Sequence, residues 1–273
     1  MNAIPLTRIV TCYRQWSLLE RWAGNPALRQ AGVKWIIVND DPGTPCPSES
    51  ASLLGSLGAV VHTVRFNSGR SAARNAGATL SDTPYIEHID GDDFPLPYDQ
   101  GVIDQLDGTF DLGAFPVWEA TNTVFPPNPP PRLAIQPAWS LFLPQLSPLD
   151  VRPAGTLWRN EFFRRLGGYD ARFESAEDFQ LACRANAAGA RVKRFEVPKQ
   201  CYSARTESTL RCPLFVEGHL RLWHWLNDGN CDAEPDLRVW MGKDTLQRFI
   251  HSGIALWTAK QGVMRYLKTK LRI

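Results

Sequence analysis

Apolar runs alternate with segments of helical periodicity between residues 7 and 90. The predicted strands are 7–13, 34–40, 59–66 and 85–90, and the predicted helices between them are 14–30, 48–57 (capped by Ser48) and 68–80. The uninterrupted apolar run of 34–40 is typical of a strand covered on both faces. This order predicts an α/β fold with a Rossmann-like, mostly parallel sheet and helices on both faces.

Polar residues follow the predicted strands at the point where each strand ends. They are Thr11 to Arg14, Asp40, Asp41, Asn67 and Asp90 to Asp93. Ligands of open α/β sheets bind outside the carboxyl ends of the strands. The sequence therefore predicts a ligand site along this edge of the sheet.

The middle of the chain has a different pattern. Residues 110–120 fit a strand, whereas residues 121–137 contain six prolines, which exclude a regular helix or a central strand. Residues 155–192 then predict a short strand, a helix ending at the glycine pair 167–168, a loop, and a second helix from about Ala176.

The character of the chain changes again from about residue 206. Tryptophan-rich segments predict a C-terminal helical extension over 206–273, after a first domain over 1–205. The last fourteen residues, 260–273, contain five Lys or Arg and no acid. This segment fits an interfacial helix on anionic lipid, and the favoured alternative is a basic helix packed on the domain.

Composition narrows the class of protein. The chain has 273 residues, 44% of them apolar, and a net charge of +2, which gives no general nucleic-acid-binding character. Six scattered cysteines without a CxxC sequence indicate reduced thiols. The N-terminus lacks the features of a signal peptide, and no apolar stretch approaches the roughly 18 residues of a membrane span. We therefore expect a cytoplasmic protein.

The sequence IEHIDGDD (86–93) places three carboxylates around one glycine at the end of a predicted strand. Asp-Gly is a common turn sequence, so an ordinary turn is one interpretation. The other is a hard-cation site, because Asp90 and Asp92 offer the oxygen ligands of Mg²⁺ or Mn²⁺. A bound cation would offset the repulsion between the carboxylates and neutralise a diphosphate leaving group.

The sequence NSGRSAARNAG (67–77) places small residues at the junction of a loop and a helix. A helix N-terminus favours anions, and Arg70 and Arg74 add positive charge one turn apart. The alternative is an amphipathic helix with solvated arginines and with alanines packed on the sheet. A GxGxxG sequence is absent, so a dinucleotide site is not supported.

The sequence ESAEDFQLA (174–182) has two interpretations. Ser175 and Asp178 fit a capping box, and acids in a first helical turn suit the helix dipole. Alternatively, one carboxylate is a general base. A helix start lowers the pKa of such a carboxyl, whereas burial beside a second acid raises it, and the sequence leaves this open.

Five blocks in this order resemble family 2 glycosyltransferases of the GT-A fold, over about residues 7–205. They are IVTCYR, IIVNDDPG, NSGRSAARNAG, IEHIDGDDFPLP and LGGYDARFESAEDFQLACRANAAGARV. The resemblance implies a nucleotide-sugar donor, a divalent cation (Mn²⁺ or Mg²⁺) and an acceptor hydroxyl on a glycan or a lipid-linked molecule.

The resemblance also implies roles for individual residues. Thr11, Tyr13 and Asp41, with Asp40 beside them, would hold the nucleotide base, which can stack on a Tyr ring and donate to a carboxylate. Asn67, Arg74 and Asp90 would line the nucleotide-sugar pocket, and Asp90 and Asp92 would bind the metal. Asp178 would be the catalytic base, with Glu177 supporting it or contacting the sugar.

The implied reaction is a direct displacement with inversion, which needs no covalent intermediate. UDP-sugars are the commonest donors of the family, and synthesis of bacterial surface polysaccharide or glycolipid is the implied setting. A relative that binds nucleotide-sugar or glycan without turnover is the alternative, disfavoured because Asp92 and Asp178 are both present.

The chain departs from the family at three positions. Thr11 stands where Pro is frequent, and Arg14 where Asn is frequent. Arg205 lies near the place of a His in many relatives. An arginine cannot bind a metal but can pair with phosphate, so we expect Arg205 to contact the diphosphate, the alternative being a surface arginine.

Overall fold

A computed structural model describes residues 6–116, 118–120, 155–173 and 175–203, together with Arg221 and Trp225. Its strands are β1 Leu6–Cys12, β2 Val33–Asn39, β3 Ala59–Thr63, β4 Tyr85–Asp90, β5 Phe94–Pro95, β6 Leu112–Ala114, β7 Trp118–Ala120, β8 Thr156–Arg159, β9 Val192–Arg194 and β10 Gln200–Ser203. Its helices are α1 Trp16–Ala23, α2 Ser48–Ser56, α3 Gly69–Leu80, α4 Gln100–Ile103, α5 Asn160–Arg165 and α6 Glu177–Ala187, with a 3₁₀ turn at Pro26–Leu28.

The central sheet has the strand order β3-β2-β1-β4-β8-β6-β9. The pairs β3-β2, β2-β1, β1-β4 and β6-β9 are parallel, whereas β8 runs antiparallel to both β4 and β6. A smaller sheet joins β10 to β5 and β7. The sheet is mostly parallel, as the alternation of apolar and helical segments predicted.

Helices cover both faces of the central sheet. Successive side chains of a strand point to opposite faces. Val10 packs in a buried cluster with Trp22 of α1 and Leu54 of α2. Its neighbour Ile9 packs in a second cluster that includes Phe162 of α5. The predicted two-sided packing is therefore confirmed.

Helix α3 lies directly against the sheet because of its small residues. A Cβ atom at Gly77 would come within 2.2 Å of Ile9 Cγ2, so only glycine allows this approach. Ala73, one turn earlier, is fully buried. Close packing of α3 brings the neighbouring Arg74 to the edge where β1 and β4 end.

Two details of the first predicted helices are wrong. Helix α1 ends at Ala23, because Asn25 and Pro26 begin a 3₁₀ turn in which Asn25 Oδ1 accepts from Ala27 N at 3.0 Å. Ser48 is the first residue of α2 and not its cap, since Pro47 occupies the N-cap position.

Two predicted strands also differ from the structure. The strand predicted over 59–66 ends at Thr63, and the strand predicted over 110–120 is divided into β6 and β7. The proline-rich segment 121–137, the extension 206–273 apart from Arg221 and Trp225, and Arg205 lie outside the described residues. None of the helices described is long and apolar enough to cross a membrane.

Candidate active site

The predicted site residues gather along one edge of the central sheet. Strands β2, β1 and β4 are parallel neighbours, so their carboxyl ends meet there. Thr11 of β1 pairs with Val38 on one side and with Asp90 on the other. Neighbouring strands lie about 4.8 Å apart, so the ends of β2 and β4 are separated by about 10 Å.

The turn after β4 packs tightly against the end of β1. Asp93 N donates to Asp90 O at 2.9 Å and closes the turn. A Cβ atom at Gly91 would lie 2.8 Å from both Thr11 O and Gln15 Oε1. The middle residue of DGD must therefore be glycine, which explains this position sterically.

The three carboxylates of this turn have different surroundings. Asp93 is 2% exposed and accepts from Gln200 Nε2 at 3.2 Å. Asp90 accepts from Arg74, and Asp92 is half-buried. Arg74 binds Asp90, and Gln200 binds Asp93. These separate partners reduce the repulsion between the two carboxylates without a cation.

Asp90 and Asp92 fit a divalent cation that a substrate helps to hold. The Asp90 side chain is 33% exposed, and its Oδ2 has no hydrogen bond within the described residues. In the same part of the chain, no group of three or more His, Cys, Asp or Glu side chains could hold a metal. Two carboxylates suffice for Mg²⁺ or Mn²⁺ when phosphates and water complete the coordination.

Arg74 links the end of β4 to the start of α6. Its side chain is 1% exposed, and it donates to Asp90 Oδ1 at 2.5 Å and to Glu177 Oε1 at 2.7 Å. Its guanidinium also lies 5.1 Å from the ring centre of Tyr169. Burial would lower the pKa of Arg74, but the carboxylates, Asp90 above all, hold that pKa well above its ordinary value. The solvated-arginine alternative is wrong for this residue.

The charges around Asp90 keep it ionised. Burial by itself would raise the pKa of this carboxyl. The positive charges of Arg74 and Arg70 outweigh that effect and hold the pKa below its ordinary value. Arg70, half-buried on the first turn of α3, makes no hydrogen bond or ion pair among the described residues.

Asp178 has the opposite electrostatic environment. Burial, together with the negative charge of Glu177, raises its pKa to about 7. The bond from Phe179 N at 2.7 Å and the charges of Arg74 and Arg70 oppose this shift without overcoming it. The sequence left open whether the pKa of this carboxyl is lowered by the helix start or raised by burial. In the structure, burial beside a second acid raises it.

The backbone before Asp178 is strained. Ala176 has a φ of 61°, a left-handed conformation that costs a non-glycine residue on the order of 1 kcal/mol or more. Gln180 N donates to Ala176 O at 2.9 Å, so Ala176, and not Ser175, occupies the N-cap position of α6. The capping box that Ser175 and Asp178 suggested is therefore not formed in that register.

The end of β2 is tied to the start of α3. Asp40, 5% exposed, accepts from Ser68 N at 3.1 Å. Asn67 is exposed, and its Oδ1 accepts from Gly69 N at 3.1 Å. Both predicted residues thus shape the loop that precedes α3, at the carboxyl edge of the sheet.

Asp41 is held from three sides. Its Oδ2 accepts from Arg14 Nε at 2.6 Å and from Thr44 Oγ1 at 2.9 Å, and its Oδ1 accepts from Gly43 N at 3.0 Å. The bond from Arg14, with that from Thr44, lowers the pKa of Asp41. Tyr13 stands beside it, 45% exposed, with the Arg14 guanidinium 5.1 Å from its ring centre.

Sequence reasoning missed the residues that dock the GGYD segment on α3. Asn75 donates to Tyr169 O at 2.7 Å and accepts from Tyr169 N at 2.8 Å. A Cβ atom at Gly168 would lie 2.4 Å from Asn75 Oδ1, and Gly168 has a φ of 69°. Ser71 donates to Phe173 O at 3.0 Å. These residues lie inside the blocks that carried the family resemblance, and their presence there was the only indication in the sequence.

A buried ionic network lies behind the DGD turn and was also not predicted. Glu87 of β4 accepts from Arg8 Nε at 3.1 Å, from Lys199 Nζ at 3.1 Å and from Tyr98 Oη at 2.7 Å. Lys199 precedes Gln200, whose side chain binds Asp93. The network therefore fixes β10 and the turn relative to β4.

Comparison with known proteins adds a sequence relationship. No protein-family model matches the chain. It is similar to the pre-mycofactocin glycosyltransferase of Mycobacterium tuberculosis, with 28% identity over 218 residues. The match covers 76% of this chain and 41% of the relative, so the chain spans less than half of that relative's length.

Solved structures share the architecture. A mannosyltransferase from Pyrobaculum calidifontis in complex with GDP-Man and Mn²⁺ has a TM-score of 0.61 at 13% identity, covering 100% of this chain and 81% of that one. S. aureus TarS has a TM-score of 0.59 at 13% identity, covering 97% of this chain and 45% of that one. TarS structures with UDP and UDP-GlcNAc are similar as well, with TM-scores of 0.59 and 0.56. The protein therefore has the GT-A glycosyltransferase fold, and the resemblance to GT-A-type glycosyltransferases is confirmed.

Proposed function

We propose that this protein is an inverting glycosyltransferase of family 2. It transfers a sugar from a nucleoside-diphosphate donor, a UDP-sugar in the first instance, to a hydroxyl of a glycan or lipid-linked acceptor in bacterial surface polysaccharide or glycolipid synthesis. The sequence relative named as a glycosyltransferase supports the reaction class. Solved neighbours of the same fold hold UDP, UDP-GlcNAc or GDP-Man.

One observation carries the proposal: a buried ionic bridge joins the DGD turn to the start of α6. Arg74 binds Asp90 on one side and Glu177 on the other. Asp178, next to Glu177, has a pKa of about 7. The bridge thus holds together an acidic turn suited to a divalent cation, which would bind the diphosphate, and a carboxyl suited to proton transfer.

Asp178 is the general base of the proposed reaction. A base works best when its pKa lies near the operating pH, because it is then ionised and still basic enough to accept a proton. Asp178 takes the proton of the acceptor hydroxyl while that oxygen attacks the anomeric carbon. The donor sugar is displaced directly from its diphosphate, so no residue of the chain forms a covalent bond to it.

Arg70 is our candidate for a protein contact with the leaving diphosphate. Its positive charge acts on both Asp90 and Asp178, yet it has no partner in the described part of the chain. Asp90 and Asp92 would hold Mn²⁺ or Mg²⁺, which when bound neutralises the departing diphosphate. We retain Arg205 as a further phosphate contact predicted from the sequence.

The ends of β1 and β2 would hold the nucleoside. Thr11 lies near the end of β1, Asp40 directly follows β2, and Asn67 lies on the loop before α3. Tyr13 has an exposed ring that can stack on a base. Asp41 can contact the base only beside Arg14, because its carboxylate already binds Arg14, Thr44 and Gly43.

Release of the nucleoside diphosphate tests the proposal. The protein is incubated with UDP-sugars and GDP-sugars and Mn²⁺, without and with glycan acceptors, and nucleoside diphosphate is measured. We expect release by the wild type, a loss of about 10²–10⁴-fold in Asp178→Asn, and no change in Glu161→Gln. Glu161 is a suitable control because its carboxylate is 80% exposed on α5.

Two outcomes would contradict the proposal in different ways. Unaltered release by Asp178→Asn would remove Asp178 from the mechanism. Binding of a nucleotide-sugar by the wild type without release of diphosphate from any donor would favour the alternative, an inactive relative that only binds.

A further inference from the structure

Arg14 has an unusual conformation at the end of β1. Its φ of 57° lies in the left-handed region, which costs a non-glycine residue about 1–2 kcal/mol. The side chain is nevertheless 65% exposed. Strain of this kind persists only where the surroundings fix the residue, and here two contacts do so.

The two contacts orient the guanidinium. Nε donates to Asp41 at 2.6 Å, and Asp41 is only 10% exposed and anchored by Thr44 and Gly43. The guanidinium carbon Cζ lies over the Tyr13 ring, 5.1 Å from its centre. The terminal nitrogens Nη1 and Nη2 have no hydrogen-bond partner among the described residues. Arg14 therefore presents two fixed, coplanar donors to solvent.

The position of Arg14 separates it from the place of the diphosphate. On the proposed function, the diphosphate binds at the DGD turn after β4. Asp41 follows β2, about 10 Å away along the same edge. Gly91 packs against Thr11 and Gln15, so the segment that contains Arg14 begins beside the DGD turn, and the Arg14 side chain extends from it to Asp41. A ribose lies between the base and the diphosphate of a nucleotide, which brings the base to Arg14.

We propose that Arg14 selects the base of the nucleoside-diphosphate donor. Its terminal nitrogens donate to the O4 carbonyl oxygen of uracil or thymine, or to the O6 carbonyl oxygen of guanine. Adenine presents an amino group where guanine presents its O6 acceptor. Two hydrogen-bond donors would then face each other, so an adenine nucleotide binds more weakly. This inference rests on the proposed function and names the residue that determines its donor specificity.

The test compares GDP with ADP, two purine nucleotides that differ in this acceptor and donor pattern, and adds UDP. Dissociation constants in the presence of Mn²⁺ are measured by calorimetry for the wild type, Arg14→Gln and Arg14→Lys. We expect the wild type to bind GDP or UDP at least about tenfold more tightly than ADP. Both variants should lose this preference, because Gln has no charge and Lys lacks the planar pair of donors.

Two further variants serve as controls. Arg29→Gln removes an exposed arginine before the amino end of β2, and it should leave all three dissociation constants unchanged. Arg70→Gln should weaken all three by the same factor, as expected for a diphosphate contact. Thermal denaturation confirms that each variant is folded before titration.

Several results would overturn the inference. If Arg14→Gln weakens GDP, UDP and ADP equally, Arg14 contacts phosphate and not the base. If Arg14→Gln or Arg14→Lys keeps the wild-type preference, the coplanar donors are not what selects the base. If the wild type binds none of these nucleotides, the proposed function itself fails, a result distinct from the first two.

Discussion

At the scale of single residues, Arg74 determines the geometry of the site. Transferring the side chains of Arg74 and Glu177 out of water is costly, and only close pairing makes it tolerable. Arg74 bonds to Asp90 and Glu177 within 2.7 Å. The guanidinium thereby sets the distance between the end of β4 and the start of α6.

Arg74→Met should destabilise the protein by about 3–5 kcal/mol, because Asp90 and Glu177 then lose their shared partner. Urea denaturation at neutral pH measures the change. The matched control is Arg172→Met, which removes an arginine that is 74% exposed and paired with Asp170, and it should cost less than about 1 kcal/mol. Equal losses in the two variants would mean that the buried bridge does not hold the site together.

The pH dependence of activity should report Asp178. Only the ionised carboxylate accepts a proton, so kcat/KM should rise with pH, with an apparent pKa of about 7. The neighbouring charge of Glu177 raises that pKa, whereas Arg74 and Arg70 lower it. Glu177→Gln should therefore move the rising limb to lower pH.

The control for this profile is Glu161→Gln, whose exposed carboxylate on α5 should leave the limb in place. A limb that stays near pH 7 in Glu177→Gln would show that another group titrates.

At the scale of elements, the contact between α3 and the GGYD segment positions α6. Gly167 and Gly168 both have positive φ, at 81° and 69°. A Cβ atom at Gly167 would meet nothing within 4 Å, whereas one at Gly168 would overlap Asn75. Conformation accounts for the first glycine, and both conformation and close packing account for the second.

Gly168→Ala should therefore destabilise the protein more than Gly167→Ala. The second substitution carries only the cost of a left-handed alanine, about 1–2 kcal/mol. A double-mutant cycle with Asn75→Ala, followed by denaturation, separates the steric part. The extra cost of Gly168→Ala should fall in the Asn75→Ala background, and an unchanged difference would exclude Asn75 as its cause.

The sequence predicted those elements whose apolar pattern is long enough to identify them. Strands β1, β2 and β4 and helix α3 lie within two residues of their predicted bounds. Strands β5, β9 and β10 contain two to four residues, too few for a periodicity, and are held by pairing with distant segments.

Burial of charged groups could not be predicted in the same way. Arg74 is buried because Glu177, 103 positions away, meets it in three dimensions. The sequence located both residues in the blocks that resemble the glycosyltransferases. It could not tell that they bond to each other, since spacing along the chain carries no information on that contact.

At the scale of the whole molecule, sheet topology assembles the site. Strand β1 lies between β2 and β4. The base contacts proposed near β2 and the acidic turn after β4 therefore lie at the same carboxyl edge of the central sheet. The network of Glu87, Arg8 and Lys199 secures the turn from behind. Segments far apart in sequence must therefore all be folded before a donor can bind.

The basic C-terminus leads to a prediction for the full chain, although it lies outside the described residues. If it binds anionic membrane surfaces, each Lys or Arg contributes about 1 kcal/mol. Replacing all five basic residues of 260–273 with Gln should then abolish flotation with anionic liposomes. Neutral liposomes serve as the control, and equal recovery of both proteins would exclude membrane contact through this segment.

The most direct test of the account is a crystal structure with UDP and Mn²⁺, with manganese located by anomalous scattering. We predict manganese at Asp90 and Asp92, bonded to the diphosphate, with the uracil beside Tyr13 and Arg14. A nucleotide bound elsewhere, with no manganese at the acidic turn, would contradict the proposed transferase site.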